Sequence, residues 1–75
     1  MSGEEAWEVV LFQSVSQAIR AEKLLGAAGI PCKLIPVPRH LSSDCGVCLR
    51  FAPACRSQIE AALSGRVPFE AILPL

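Results

Sequence analysis

Residues 31–51 read PCKLIPVPRHLSSDCGVCLRF, and this stretch decides the fold of the chain. Pro31-Cys32-Lys33-Leu34-Ile35-Pro36 reads as a strand with prolines at its ends. Prolines there suit an edge strand, because a proline cannot donate to a sheet ladder. Val47-Cys48-Leu49-Arg50-Phe51 alternates as a half-buried strand. The loop from Val37 to Gly46 joins them. Two strands therefore follow one another in the middle of the chain.

A helix and a further strand flank this pair on each side. Upstream, Trp7-Glu8-Val9-Val10-Leu11-Phe12 is rich in β-branched and aromatic residues and reads as a strand. Ser14 or Ser16 can cap the helix that follows. From Ser16 to Ala28, the residues Ala18, Ile19, Ala21, Glu22, Leu24 and Leu25 recur at helical spacing, and Gly29 ends the pattern. Downstream, Pro53 opens a second helix, where proline is tolerated in the first turn. Ile59, Ala62 and Leu63 form its apolar stripe, Gly65 stops it, and Phe69-Glu70-Ala71-Ile72-Leu73 is the last strand. The order strand, helix, strand, strand, helix, strand predicts an α+β, ferredoxin-like βαββαβ fold. That fold has a four-stranded antiparallel sheet with both helices on one face. Nothing interrupts residues 1–75, which read as one domain.

Alternation assigns faces to this sheet. Trp7, Val9, Leu11, Cys32, Leu34, Val47, Leu49, Phe51, Phe69, Ala71 and Leu73 share one parity and are expected beneath the helices. The other parity carries Glu8, Val10, Phe12, Lys33, Ile35, Cys48, Arg50, Glu70 and Ile72, and with them every strand charge. On that face Arg50 is expected between Glu8 and Lys33. Val10, Phe12, Ile35 and Ile72 would form an apolar patch beside Cys48, a surface on which a second copy or another protein could dock.

Composition narrows the function. The chain is 52% hydrophobic, so it can form a core without metal or disulfides. Seven basic and seven acidic residues cancel, and no basic run draws it to nucleic acid or anionic membrane. Three Phe, one Trp and no Tyr make a base-stacking platform a poor fit. The start, Met1-Ser2-Gly3-Glu4-Glu5-Ala6, is acidic and unlike a secretory signal, and no window approaches the length of a membrane span. A cytoplasmic protein is expected, in which four cysteines are reduced, catalytic or metal-binding rather than bridged.

Chemistry points to Cys45, which stands in a polar, proline-marked loop near Arg39 and His40. Nearby positive charge and hydrogen-bond donors favour the thiolate, the reactive form of cysteine. Ser42 and Ser43 offer hydroxyls, Arg39 a permanent charge with a planar fork of donors, and His40 a proton acceptor or a second donor. Asp44 opposes a low pKa if its carboxylate faces the sulfur. Cys48 makes a C-x-x-C with Cys45, a spacing found in redox dithiols and in half of many zinc sites. In redox dithiols the motif opens a helix, whereas here it enters a strand. Zinc needs four ligands, and Cys45, Cys48 and His40 supply three. Cys32 reads as a small buried hydrophobe. Cys55, in the first turn of the second helix, could resolve an oxidised Cys45 if that turn lies near the loop. No glycine-rich phosphate cradle and no hydrolytic constellation is legible, and no cofactor or resident metal is expected.

These residues also carry a resemblance. Ala18-Ile19-Arg20-Ala21-Glu22-Lys23-Leu24-Leu25, Gly29-Ile30, Lys33-Leu34-Ile35-Pro36-Val37-Pro38-Arg39, Ser42-Ser43-Asp44-Cys45-Gly46 and Leu49-Arg50-Phe51 together resemble the small prokaryotic domains of the selenium/sulfur (Se/S) carrier protein-like family. The pattern of proline, arginine, paired serines and Cys-Gly is its specific part. The resemblance implies a protein that holds sulfur or selenium on Cys45 as a persulfide or selenopersulfide. Arg39, Ser42, Ser43 and Gly46 would shape that site, and His40 lies within it. Cys48 falls where the resemblance leads one to expect an ordinary strand residue. The partners implied are a donor protein and an acceptor protein, with a homodimer through the open sheet face as a further expectation. A carrier or binding protein is expected rather than a free-standing enzyme. A thiol–disulfide or metal-binding module using Cys45 and Cys48, and a non-catalytic interaction domain, are the alternatives.

Overall fold

A computed structural model describes residues 7–41 and 46–75. Its elements follow the expected order. Strand β1 (Glu8–Leu11) leads to helix α1 (Val15–Ala27), then to strands β2 (Lys33–Pro36) and β3 (Val47–Phe51). A 3₁₀ turn (Pro53–Cys55) leads into helix α2 (Arg56–Leu63), and strand β4 (Ala71–Pro74) closes the chain. The sheet is ordered β2-β3-β1-β4 with every neighbouring pair antiparallel, as the ferredoxin-like plan requires.

Local chemistry sets the limits of the helices. Ser14 caps α1, its hydroxyl oxygen accepting from the Gln17 N–H at 3.3 Å. At the other end the Ile30 N–H donates to the Leu25 carbonyl at 2.9 Å, and the Gly29 N–H to the Gly26 carbonyl at 3.1 Å. This Schellman pair needs a left-handed residue, and Gly29 supplies it with φ of 76°. The accompanying apolar contact joins Leu25 and Ile30, both buried in the same cluster. Gly65, with φ of 74°, turns the chain after α2 in the same way. Pro53 opens a 3₁₀ turn rather than the α-helix itself, which starts three residues later.

Both helices cover one face of the sheet. Ala18, Ala21 and Leu25 of α1 and Ile59 and Leu63 of α2 pack with Val10, Phe12, Leu49 and Phe51. Ile19 does not belong to this stripe, since it is 39% exposed. Cys32, Leu34, Val47 and Phe69 lie against this core as the alternation predicts.

The faces of β1 and β4 are the reverse of those expected. Val10, Phe12 and Ile72 pack beneath the helices. Val9, Leu11 and Leu73 lie on the opposite face with Cys48 and Ile35. The reason is position. The central strand β1 has Val9, Val10, Leu11 and Phe12 all buried, so hydrophobicity along it carries no alternation. The charge that suggested its register, Glu8, lies at the strand end, where Arg56 of α2 stands 3.7 Å away. Glu8 is aligned with Phe51, and Val9 with Arg50, so the expected Glu8–Arg50 pair does not form. In β4 the break in alternation falls at Glu70, which precedes the strand and donates its N–H to the Leu11 carbonyl at 2.7 Å.

The patch expected from Val10, Phe12, Ile35 and Ile72 is therefore not a surface. The face opposite the helices is partly closed by the chain itself. Val37 and Leu41, from the segment after β2, pack on Val9, Leu11 and Cys48. These three are almost fully buried, at 0%, 3% and 0% exposure. The premise for a second copy docking on those four residues is thereby removed.

Candidate functional site

The connection between β2 and β3 is built from its base upward. Pro36 pairs with Val47 at the end of the ladder, and the Val37 N–H donates to the Gly46 carbonyl at 3.2 Å. The chain then makes a β-turn at Pro38-Arg39-His40-Leu41, closed by the Leu41 N–H donating to the Pro38 carbonyl at 3.0 Å. Arg39 and His40 are the central residues of this turn, and both are exposed. Val37 and Leu41 on either side point to the sheet and bury against it. The arrangement is a clamp: two apolar feet on the sheet hold a turn whose polar tip faces solvent. The feet were missed in the sequence, although the signal is there in Val37 and Leu41, the apolar residues that flank Pro38-Arg39-His40.

Ser42, Ser43, Asp44 and Cys45 lie outside the described residues. Gly46, which follows Cys45 in sequence, is exposed, and a Cβ built there would meet nothing within 4 Å. Crowding by the described residues therefore does not require glycine at this position. What glycine contributes is the absence of a side chain beside the cysteine.

The other thiols fall into distinct surroundings. Cys48 is fully buried in β3, packed with Val9 and Leu11 beneath the loop. Cys32 and Cys55 lie against the main core under the helices. Burial pushes the Cys32 thiol above its ordinary range, with the neighbouring Glu22 and Cys55 adding in the same direction. The shift favours the neutral thiol over the reactive thiolate at Cys32. The loop joins the start of β3, and the turn containing Cys55 follows its end. At about 3.3 Å per strand residue, the five residues of β3 separate these ends by about 17 Å. The sheet itself also stands between Cys55, on the helix side, and the loop residues Val37 and Leu41 on the other face. Among the described residues no group of three or more His, Cys, Asp or Glu could hold a metal ion.

A second polar assembly lies on the open face at the far end of the sheet. The Arg50 guanidinium stacks over the Trp7 ring with its carbon 4.3 Å from the ring centroid. Lys33 is the direct cross-strand partner of Arg50. The strand charges Lys33 and Arg50 do share a face, as alternation predicts, but Trp7 rather than Glu8 completes the group.

No helix among the described residues is long and apolar enough to cross a membrane. No curated protein and no solved structure matches the chain. One family does, and its match runs from Glu8 at the start of β1 to Pro74 at the end of β4, taking in the whole sheet, both helices and the cysteine-bearing connection. By that match over residues 8–74, the chain belongs to the family described as "Putative Se/S carrier protein-like".

Proposed function

We propose that the protein carries sulfur or selenium on Cys45 and passes it between a donor and an acceptor protein. The observation that carries this is the family match, which spans the loop containing Cys45. The described part of that loop supports it. Arg39 and His40 sit at an exposed turn tip anchored by Val37 and Leu41, close in sequence to the thiol. A fixed guanidinium near a cysteine favours its thiolate and, after loading, a persulfide anion.

Loading requires no external oxidant. The Cys45 thiolate attacks the outer sulfur of a donor persulfide. A new sulfur–sulfur bond forms on Cys45, the donor's own sulfur–sulfur bond breaks, and the donor thiolate leaves with the electron pair. The proton that Cys45 gave up, held by solvent or His40, ends on the departing thiolate. Unloading is the same exchange with the acceptor's thiolate as attacker, and selenium follows the same course as a selenopersulfide. Ser42, Ser43 and Gly46 would shape the pocket of donors around the transferred atom. Cys48 acts as packing in this scheme.

The test is mass spectrometry of the purified protein after incubation with a persulfide-bearing donor, before and after reductant, with the modified residue mapped. The expected result is one reductant-labile sulfur on Cys45, absent in Cys45→Ser and retained in Cys48→Ser. Equal loading of Cys45→Ser would overturn the carrier assignment. Equal loss in Cys48→Ser, with a Cys45–Cys48 bridge mapped in the wild-type protein, would replace it with a thiol–disulfide module.

A further inference from the structure

The Trp7, Lys33 and Arg50 group is not used by the carrier chemistry, and it stands apart from the loop. Lys33 and Arg50 are directly opposed across β2 and β3. Like charges so placed repel, and the pair is unfavourable unless negative charge neutralises it. Among the described residues, the carboxylates that form ion pairs, Glu8 and Glu60, both meet Arg56. Arg50 instead stacks over Trp7 at 4.3 Å. Stacking engages the face of the guanidinium and leaves its N–H edge for a ligand. The Arg50 Nε is buried without a hydrogen-bond acceptor, as Glu8 Oε1 is without a donor, so it is the terminal guanidinium nitrogens that a ligand would meet.

These groups line one hollow. Trp7, Pro31, Cys32, Lys33, Arg50 and Ala52 line a half-open hollow of about 290 Å³ at the end of the sheet where β1 begins and β3 ends. That volume is at the small end for ligand pockets. Two cations matched by a single dianion, a planar donor fork and an indole wall together describe an oxyanion site at the charged edge of a largely apolar hollow. A carboxylate would balance only one of the two charges.

We propose that Trp7, Lys33 and Arg50 form a binding site for a small, doubly charged tetrahedral oxyanion of the phosphate or sulfate class. The anion bridges Lys33 and Arg50, relieves their repulsion and accepts from the guanidinium edge. It could be free in solution or the terminal phosphate of a mononucleotide.

Trp7 is the single tryptophan, so its fluorescence reports on the site directly. The full chain is titrated with inorganic phosphate, sulfate and adenosine monophosphate at an ionic strength held constant with sodium chloride. A saturable change in Trp7 emission is expected with the oxyanions and none with chloride alone. Lys33→Gln, at an exposed position that leaves the core untouched, should weaken binding about tenfold, the scale of one lost charge-assisted contact. Arg66→Gln, an exposed cation remote from the hollow, should leave it unchanged. Tighter binding of the nucleotide than of phosphate assigns the site to a mononucleotide, and equal binding assigns it to the free oxyanion. A response that grows linearly with anion, that chloride reproduces, or that survives unaltered in Lys33→Gln overturns the proposal.

Discussion

Leu11→Ala tests whether the sheet face opposite the helices is a second core closed by the chain. Leu11 is 3% exposed, and its neighbours on that face are Val9, Cys48, Ile35, Val37, Leu41 and Leu73. Truncation to alanine removes three carbons. At about 0.8 kcal/mol per buried carbon group, the transfer loss alone is about 2.4 kcal/mol. A cavity adds to that where the surroundings cannot settle, and leucine-to-alanine changes span about 2–5 kcal/mol. One wall here is the segment carrying Val37 and Leu41, which can sink toward the vacated space, so the lower half of that range applies. The expected loss is about 2–3 kcal/mol. A chain of 75 residues has a total stability of about 4–11 kcal/mol, so the change is a large share of it and should lower Tm by about 8–24 °C. Urea unfolding followed by Trp7 fluorescence measures it, with Ile19→Ala as the exposed control expected within about 0.5 kcal/mol. Were the face open to water, Leu11 would be a surface strand residue worth well under 1 kcal/mol. A loss below about 1 kcal/mol with an unchanged m value would refute the second core.

Three other outcomes follow from the structure. Gly29→Ala should cost about 1–2 kcal/mol in thermal or urea unfolding. The left-handed φ of 76° alone carries this cost, because an added Cβ meets nothing within 4 Å. A neutral result would mean that the Schellman turn is not formed. Because burial raises the Cys32 thiol above its ordinary range, stability is full below about pH 8.5, where the thiol is protonated in both the folded and unfolded chain. It then falls as pH rises, because the unfolded thiol ionises first. Unfolding midpoints across the alkaline range should fall more gently in Cys32→Ala, and an identical slope would show that Cys32 does not contribute. Finally, Leu41→Ala should leave the helices intact but speed alkylation of Cys48 by loosening one foot of the clamp, read by mass mapping of labelled peptides; unchanged labelling would show that Leu41 does not shield it.

The family was legible from residue types in order along the chain. Arg39, the paired serines and Cys45-Gly46 form a local motif, and a local motif needs no knowledge of distant contacts. The Trp7–Arg50–Lys33 group was only partly legible. Alternation placed Lys33 and Arg50 together, but Trp7 reaches Arg50 through the β1–β3 register, and that register was set by the wrong charge.

The sequence by itself determined the element order, the helix stop at Gly29 and the bounds of β3. Each depends on neighbours a few residues apart: a left-handed glycine, a capping hydroxyl, an alternating pattern. Only the tertiary structure decided which side of β1 and β4 faces the helices, and that Val37 and Leu41 close the opposite face. A central strand buried on both sides has no polar side to reveal its orientation. Its facing is set by what the helices and the folded-back loop can jointly bury, and that is a property of the assembled sheet.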